Sequence, residues 1–379
     1  PTITWRTAQV AASPAAAIAL PAEGASAISI AGADEYLGAS ASGIWASSGT
    51  DEARPIASVS KLITALVILD ARPLASADDP GPTITFSKAD HDLYDKYYLQ
   101  GAIIAEMPTG SSMSLRDALA TMLIPSASNY AEAVSTWAFG SQRAFVEAAR
   151  GWLAAQGLNG TTIIEPTGLS PRNVSTPSDL IAIGKLASAN PSIARIAATS
   201  SASLPSGAVS NTNSLLGTDG INGLKTGNLG AGSYTLLYTA SLDVGAAQPL
   251  KVTGVVLGGR SRASVDAGVL ALLGSIREGF HEVPVAKRGQ EVGSFTTPWG
   301  SSGRIVVSED ASLFTWSDTP VVTTSETRTP TRYDDGEPAG SISWSSGPNT
   351  VTAPVEVQGT ITDPDPWWRL THPSELGGG

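Results

Sequence analysis

From Ile56 the chain turns apolar almost all round: Ile56, Ala57, Val59, Leu62, Ile63, Ala65, Leu66, Val67, Ile68 and Leu69 leave no polar face. A run without a wet side predicts a helix buried in a domain centre, and Pro55 suits its first turn. Leu115, Ala118, Leu119, Met122 and Leu123 repeat at helical spacing behind Ser114, with Asp117 placed as in a capping box, and Pro125 should end that helix. Helices are also expected from about Asn129 to Phe139, from Ser141 to a Gly157 stop, and from Thr176-Pro177, where Asp179 suits the N-terminal dipole.

Strand patterns flank this helical block. A strand is expected around Ser26 to Ala31, and alternating runs follow at Ser233 to Ala240 and Leu250 to Leu257. A helical pattern through Leu270, Leu272, Leu273 and Ile276 comes next. Strands at both ends of a helical middle imply a sheet assembled from distant parts of the chain, hence an α+β domain. From about Val285 the texture changes to short alternating strands separated by Gly, Pro, Ser and Asp, which predicts a small all-β, sandwich-like domain. Tryptophans concentrate there, as a small sheet packing needs large apolar anchors, and Trp367-Trp368 is read as packing at its end. The expected organisation is an extended lead-in over residues 1–26, a main domain over 27–284, a β-rich domain over 285–370 and a tail over 371–379.

Charge and composition narrow the functions. With 23 Lys+Arg against 34 Asp+Glu the chain carries a net charge of −11, so it has no basic field for a phosphate backbone, and no nucleic-acid partner is expected. The absence of cysteine removes thiol nucleophiles, disulfides and Cys-based zinc sites. No apolar stretch approaches the roughly 20 residues of a membrane-spanning helix. The start at Pro1 and the Gly377–Gly379 end read as a trimmed chain, with any signal or membrane anchor outside the residues given. His91 beside Asp92 and Asp95 reads as a loop or helix start rather than a metal site, and no metal or cofactor is expected.

Three short segments carry candidate chemistry. Ser58-Val59-Ser60-Lys61 puts a hydroxyl and an amine one helical turn apart, near a helix start that favours developing negative charge. In so apolar a stretch desolvation disfavours the charged form of Lys61, the direction needed for an amine that accepts the serine proton. Ser126-Ala127-Ser128-Asn129 follows Pro125, where polar side chains can turn toward a cleft or merely cap a helix. Lys225-Thr226-Gly227 offers a cation and a hydroxyl for a carboxylate, and a glycine that lets backbone approach a ligand. Each segment alone is weakly specific; the three in this order are far more so.

Together with Glu165-Pro166-Thr167-Gly168-Leu169 and Ser175–Leu180, these segments resemble the low-molecular-mass penicillin-binding D-alanyl-D-alanine carboxypeptidases, peptidase family S11. The resemblance covers roughly Ala27 to Phe280. It implies a catalytic domain of the penicillin-binding/β-lactamase type, a mixed sheet plus a helical subdomain with the nucleophile between them, followed by a stalk-like β domain. It implies an extracytoplasmic enzyme, anchored in the cell envelope, acting on peptidoglycan stem peptides ending in D-Ala-D-Ala and acylated by β-lactams. By the same likeness Ser58 attacks, Lys61 activates it, Ser126 relays a proton, Lys225 and Thr226 hold the terminal carboxylate beside Gly227, and the backbone N–H groups of Ser58 and Asn228 form the oxyanion hole.

Two departures are visible. The family's Ser-x-Asn reads here as Ser126-Ala127-Ser128, with Asn129 one place late, so that either Ser128 or Asn129 fills the third position. The arginine usual before the last helix is here represented by both Arg260 and Arg262. Two rival readings stand beside the peptidase. A serine β-lactamase would use Glu165 to activate water, although the following asparagine of that family is missing. A catalytically silent wall-binding protein would have no physical need for the retained Ser58, Lys61, Ser126, Lys225 and Thr226 set.

Overall fold

Ser60–Ala71 forms the buried helix that the apolar run predicts, and every residue from Ser60 to Leu69 is buried. The computed structural model describes residues 2–6, 9–330 and 333–375. Pro55 does not open this helix. It pairs with Val174 in a two-residue bridge, and the helix is entered through a 3-10 turn at Ala57–Val59. The turn is tighter than an α-helix, so the hydroxyl of Ser58 leaves the chain just ahead of the helix axis.

Around this helix pack Leu115–Leu123, Ser128–Phe139, Gln142–Ala155 and Pro177–Ala189, sharing one apolar core in which Leu62, Leu119, Tyr130, Phe145 and Leu180 are fully buried. The capping signals act as expected. Ser114, Ser141 and Thr176 accept backbone N–H groups from Asp117, Ala144 and Asp179. The sequence reading missed a helix at Lys88–Tyr98, opened by a reciprocal Ser87/Asp90 box. Its residues are mostly polar and Tyr97 is its one buried side chain, so there is little apolar repeat to read. His91 sits in its first turn and bonds the Met107 carbonyl at 2.9 Å.

Five strands form the sheet of this unit in the order Ile221–Gly227, Tyr234–Leu242, Leu250–Gly259, Ala25–Ala31, Ala46–Ser48. Every neighbouring pair is antiparallel rather than mixed. Short connections between the three later strands can only make hairpins, which fixes that direction. Lys225-Thr226-Gly227 is the end of the edge strand and not a free turn: Lys225 pairs with Leu237 and Gly227 with Thr235.

The chain divides into one compact unit over residues 18–277 and another built from 1–17 with 278–379. The lead-in expected over 1–26 is therefore divided: Thr2–Trp5 adds as an edge strand to Glu291–Thr296, which satisfies backbone groups that a lone extended segment leaves to solvent. The boundary falls earlier than 284 because Phe280–Ala286 pairs with Ala311–Trp316. Within this second unit that two-stranded sheet and a six-stranded sheet enclose a common core of Val285, Phe295, Ile305, Leu313 and Trp344. Trp368 packs on Trp299 and His372, whereas Trp367 is 73% exposed and so does not pack as expected. The Pro1 and Gly377–Gly379 ends lie outside the described residues. Among the described residues no helix is long and apolar enough to cross a membrane, and no group of three or more His, Asp or Glu side chains is placed to hold a metal ion.

Candidate active site

The 3-10 turn that carries Ser58 is held in an unusual shape. Ala57 has φ +48°, in the left-handed region, and is completely buried. Two glycines make room for it. A Cβ on Gly168 would lie 1.8 Å from the Ala57 carbonyl oxygen, and one on Gly227 would lie 2.7 Å from the Ile56 carbonyl oxygen and 3.2 Å from the Ser58 nitrogen. Gly168 itself adopts φ +82°. The two motifs distant in sequence thus need glycine because backbone presses on backbone at the turn that carries Ser58.

Lys61 Nζ lies 3.0 Å from Ser58 Oγ and donates to the Thr167 carbonyl at 2.7 Å. Burial lowers its pKa to about 7, with the Glu165 charge pulling the other way. The amine is therefore available in its neutral form near neutral pH, as an acceptor for the serine proton.

The 165–170 loop is organised by its own carboxylate. Glu165 Oε2 accepts from the Thr167 N–H at 2.7 Å and hydroxyl at 2.6 Å, and Oε1 accepts from the N–H groups of Gly168 at 2.7 Å and Ser170 at 3.2 Å. Asn173 Nδ2 adds a contact to Oε1 at 3.1 Å and reaches Ser60 Oγ at 3.0 Å, which ties the loop to the first turn of the Ser58 helix. With five donors converging on it, Glu165 shapes the loop that receives Lys61.

Ser126 is 3% exposed, has φ +73°, and its Oγ has no hydrogen-bond partner among the described residues. A non-glycine residue in this region costs on the order of 1–3 kcal/mol, and such strain collects at functional sites. Ser128 lines the same cleft. Asn129 does not: its Oδ1 accepts from the Ala105 N–H at 3.1 Å and its Nδ2 donates to the Ala105 carbonyl at 2.8 Å. The one-place offset in the motif is a rotation of about 100° around the helix, so the asparagine serves the loop behind it.

Ser58, Ser126, Ser128, Thr226, Gly227 and Asn228 line a cleft of about 380 Å3, with Lys61 and Lys225 buried beside it. Lys225 donates to the Thr226 carbonyl at 3.2 Å. Burial first, then the charges of Lys61 and Arg262, hold it well below the usual lysine range. The Asn228 side chain accepts from the Gly230 N–H at 2.7 Å, fixing the turn after the strand. Of the two arginines, Arg260 is taken by Glu23 at 2.8 Å, whereas Arg262 lines the cleft, donating to the Thr235 carbonyl at 3.2 Å and lying over Tyr234. The sequence reading left that pair open and missed Thr212 and Tyr234, which also line the cleft, since neither stands in a recognisable chemical pairing along the chain.

An antiparallel sheet edge facing a helical cluster, with a Ser-x-x-Lys turn between them, is an architecture that this chain shares with solved penicillin-binding proteins. Structures of penicillin-binding protein 5 from Haemophilus influenzae align with a TM-score of 0.58 at 17% identity over 92% of this chain and 98% of that one. Penicillin-binding protein 6B from Escherichia coli aligns at 0.59 and 19%, over 89% and 95%. At such identities the likeness is one of fold. Residues 31–261 match the D-alanyl-D-alanine carboxypeptidase family, peptidase S11, and the chain belongs to that family. A D-alanyl-D-alanine endopeptidase of Escherichia coli is 36% identical over 131 residues, 34% of this chain and 38% of that relative, so the match spans about two fifths of the relative's length.

Proposed function

We propose that this protein is a serine-type D-alanyl-D-alanine carboxypeptidase that removes the terminal D-alanine from peptidoglycan pentapeptide stems outside the cytoplasmic membrane. The observation that carries the reading is the 3.0 Å approach of a buried Lys61, its pKa lowered to about 7, to Ser58 Oγ.

In this reading neutral Lys61 takes the Ser58 proton as Oγ attacks the carbonyl between the two D-alanines. The backbone N–H groups of Ser58 and Asn228 receive the oxyanion. Ser126 passes a proton to the departing amine, D-alanine leaves, and water then hydrolyses the ester on Ser58. Lys225, Thr226 and Arg262 supply cationic and hydroxyl donors for the terminal carboxylate. Ser128, rather than Asn129, faces the acyl side of the cleft.

A β-lactam presents the same carbonyl and carboxylate, so it would acylate Ser58 and remain. The β-lactamase alternative needs Glu165 to hold a water, and its oxygens are already occupied by loop donors. A silent wall-binding role gives no reason for a strained Ser126 with a free hydroxyl. The name of the Escherichia coli relative favours a second reading, an endopeptidase using the same acylation with a larger leaving amine in place of D-alanine.

Intact mass after incubation with benzylpenicillin, with Ser58→Ala as control, tests the reading together with D-alanine release from a pentapeptide. A single long-lived adduct absent from the variant, and free D-alanine, are expected. Rapid drug turnover would favour the lactamase, and cleavage of a cross-linked dimer without D-alanine release the endopeptidase.

A further inference from the structure

We propose that Thr212 is a positioning residue for carboxylate recognition, acting through the hydroxyl of Thr226; the inference rests on the peptidase reading above. Thr212 Oγ1 lies 2.6 Å from Thr226 Oγ1, and both residues line the cleft with Ser58 and Arg262. Each hydroxyl has one proton, so only one of the two can be spent on the other. When Thr212 donates to Thr226, the Thr226 proton is directed away from Thr212 and is free for an anionic ligand, and its donor strength is raised by the bond it accepts.

The surrounding residues hold Thr212 in that place. Asn211 Nδ2 donates to the carbonyls of Ala197 and Thr199 at 3.2 and 2.9 Å, and its Oδ1 accepts from the Asn213 N–H at 2.9 Å. Asn213, 4% exposed, donates to the Gly223 carbonyl at 3.2 Å on the strand that carries Lys225. The Thr212 N–H itself reaches the Ile124 carbonyl at 3.3 Å, two residues before Ser126. The Asn-Thr-Asn segment is thus bonded both to the strand bearing Thr226 and to the segment bearing Ser126, with the central hydroxyl turned to the cleft. Two flanking amides committed to backbone carbonyls fix the position of a side chain whose hydroxyl, among the described residues, bonds Thr226.

The test compares kcat/KM for a peptide ending in D-Ala-D-Ala carboxylate with that for the same peptide ending in carboxamide, in the wild type, Thr212→Val and Thr212→Ser. Valine keeps the shape and removes the hydroxyl. The expected result is a carboxylate preference reduced about tenfold in Thr212→Val, the scale of a hydrogen bond to a charged group, appearing mainly in KM and restored in Thr212→Ser. A merely structural role would lower both substrates together and leave the ratio unchanged, which overturns the inference. Failure of serine to restore the ratio also overturns it, because the hydroxyl would not be the cause. A wild type indifferent to the carboxylate would remove the peptidase reading itself, and the inference with it.

Discussion

Lys61 Nζ donates to the Thr167 carbonyl at 2.7 Å, a bond that closes 106 positions of sequence. It ties the Lys61 amine, the base of the proposed mechanism, to a loop that Glu165 shapes, and that mechanism sets how the site should respond to pH. Acylation needs neutral Lys61, so the second-order rate of reaction with benzylpenicillin should fall about tenfold per pH unit below the pKa near 7. A rate independent of pH across neutrality would remove Lys61 as the base. Stability carries the same signature. The unfolded chain binds a proton at Lys61 that the folded one does not between about 7 and 10.5, so burial of this amine carries its full destabilising cost below about 7, and that cost is relieved as pH rises through the window. Lys61→Met should abolish acylation and flatten that part of the stability profile, read by denaturant unfolding at several pH values.

Glu165→Gln separates the peptidase from the lactamase. An amide offers one acceptor where the loop has five donors, so the variant should lose about 2–3 kcal/mol of stability, and the penicillin adduct should last as long as in the wild type. Removing the negative charge that raises the Lys61 pKa should also move the acid limb of the rate profile to lower pH. A selectively prolonged adduct would instead restore Glu165 as a hydrolytic base.

Gly168→Ala would drive a methyl group into the Ala57 carbonyl, at 1.8 Å, and into a backbone at φ +82°. The turn bearing Ser58 must shift. We expect a loss of about 2 kcal/mol or more in unfolding free energy and, beyond it, a fall in acylation rate in the folded fraction, measured by adduct formation under conditions where the variant is native. Unchanged acylation would show that the turn does not depend on this approach.

The Ser128 and Asn129 pair should divide between activity and stability. Asn129→Ala, at a fully buried position, takes the side-chain partner from both polar groups of the partly buried Ala105 and should cost about 2 kcal/mol in a denaturant titration. Ser128→Ala should change acylation kinetics with little effect on unfolding. The reverse pattern would reinstate Asn129 as the substrate ligand.

The sequence made much of this legible because several signals are local. A helix with no polar face has to be buried, Ser114 and Thr176 cap because their oxygens lie within reach of the next turn, and serine three places before lysine shares a face with it by the geometry of the helix alone. What it misread was also local in appearance. Pro55 looks like a helix opener, yet a distant strand claims it, and the run to Gly227 is too short and too mixed to show as a strand before its partner is known. Thr2–Trp5 has no pattern of its own and is a strand only because an edge some 290 positions later accepts it.

By itself, then, the sequence determined most of the helices and the identity of the candidate reactive groups, since propensity, capping and side-chain chemistry act over a few residues. Only the tertiary structure decided which groups meet. The lowered pKa of Lys61 depends on the core that closes over it, the choice of Arg262 over Arg260 on a competing carboxylate at Glu23, the exclusion of Asn129 on a loop that takes up its amide, and the place of Thr212 on two asparagines committed to distant carbonyls. Desolvation and long-range hydrogen bonding are properties of an environment that many separated segments build together, so no window along the chain contains them.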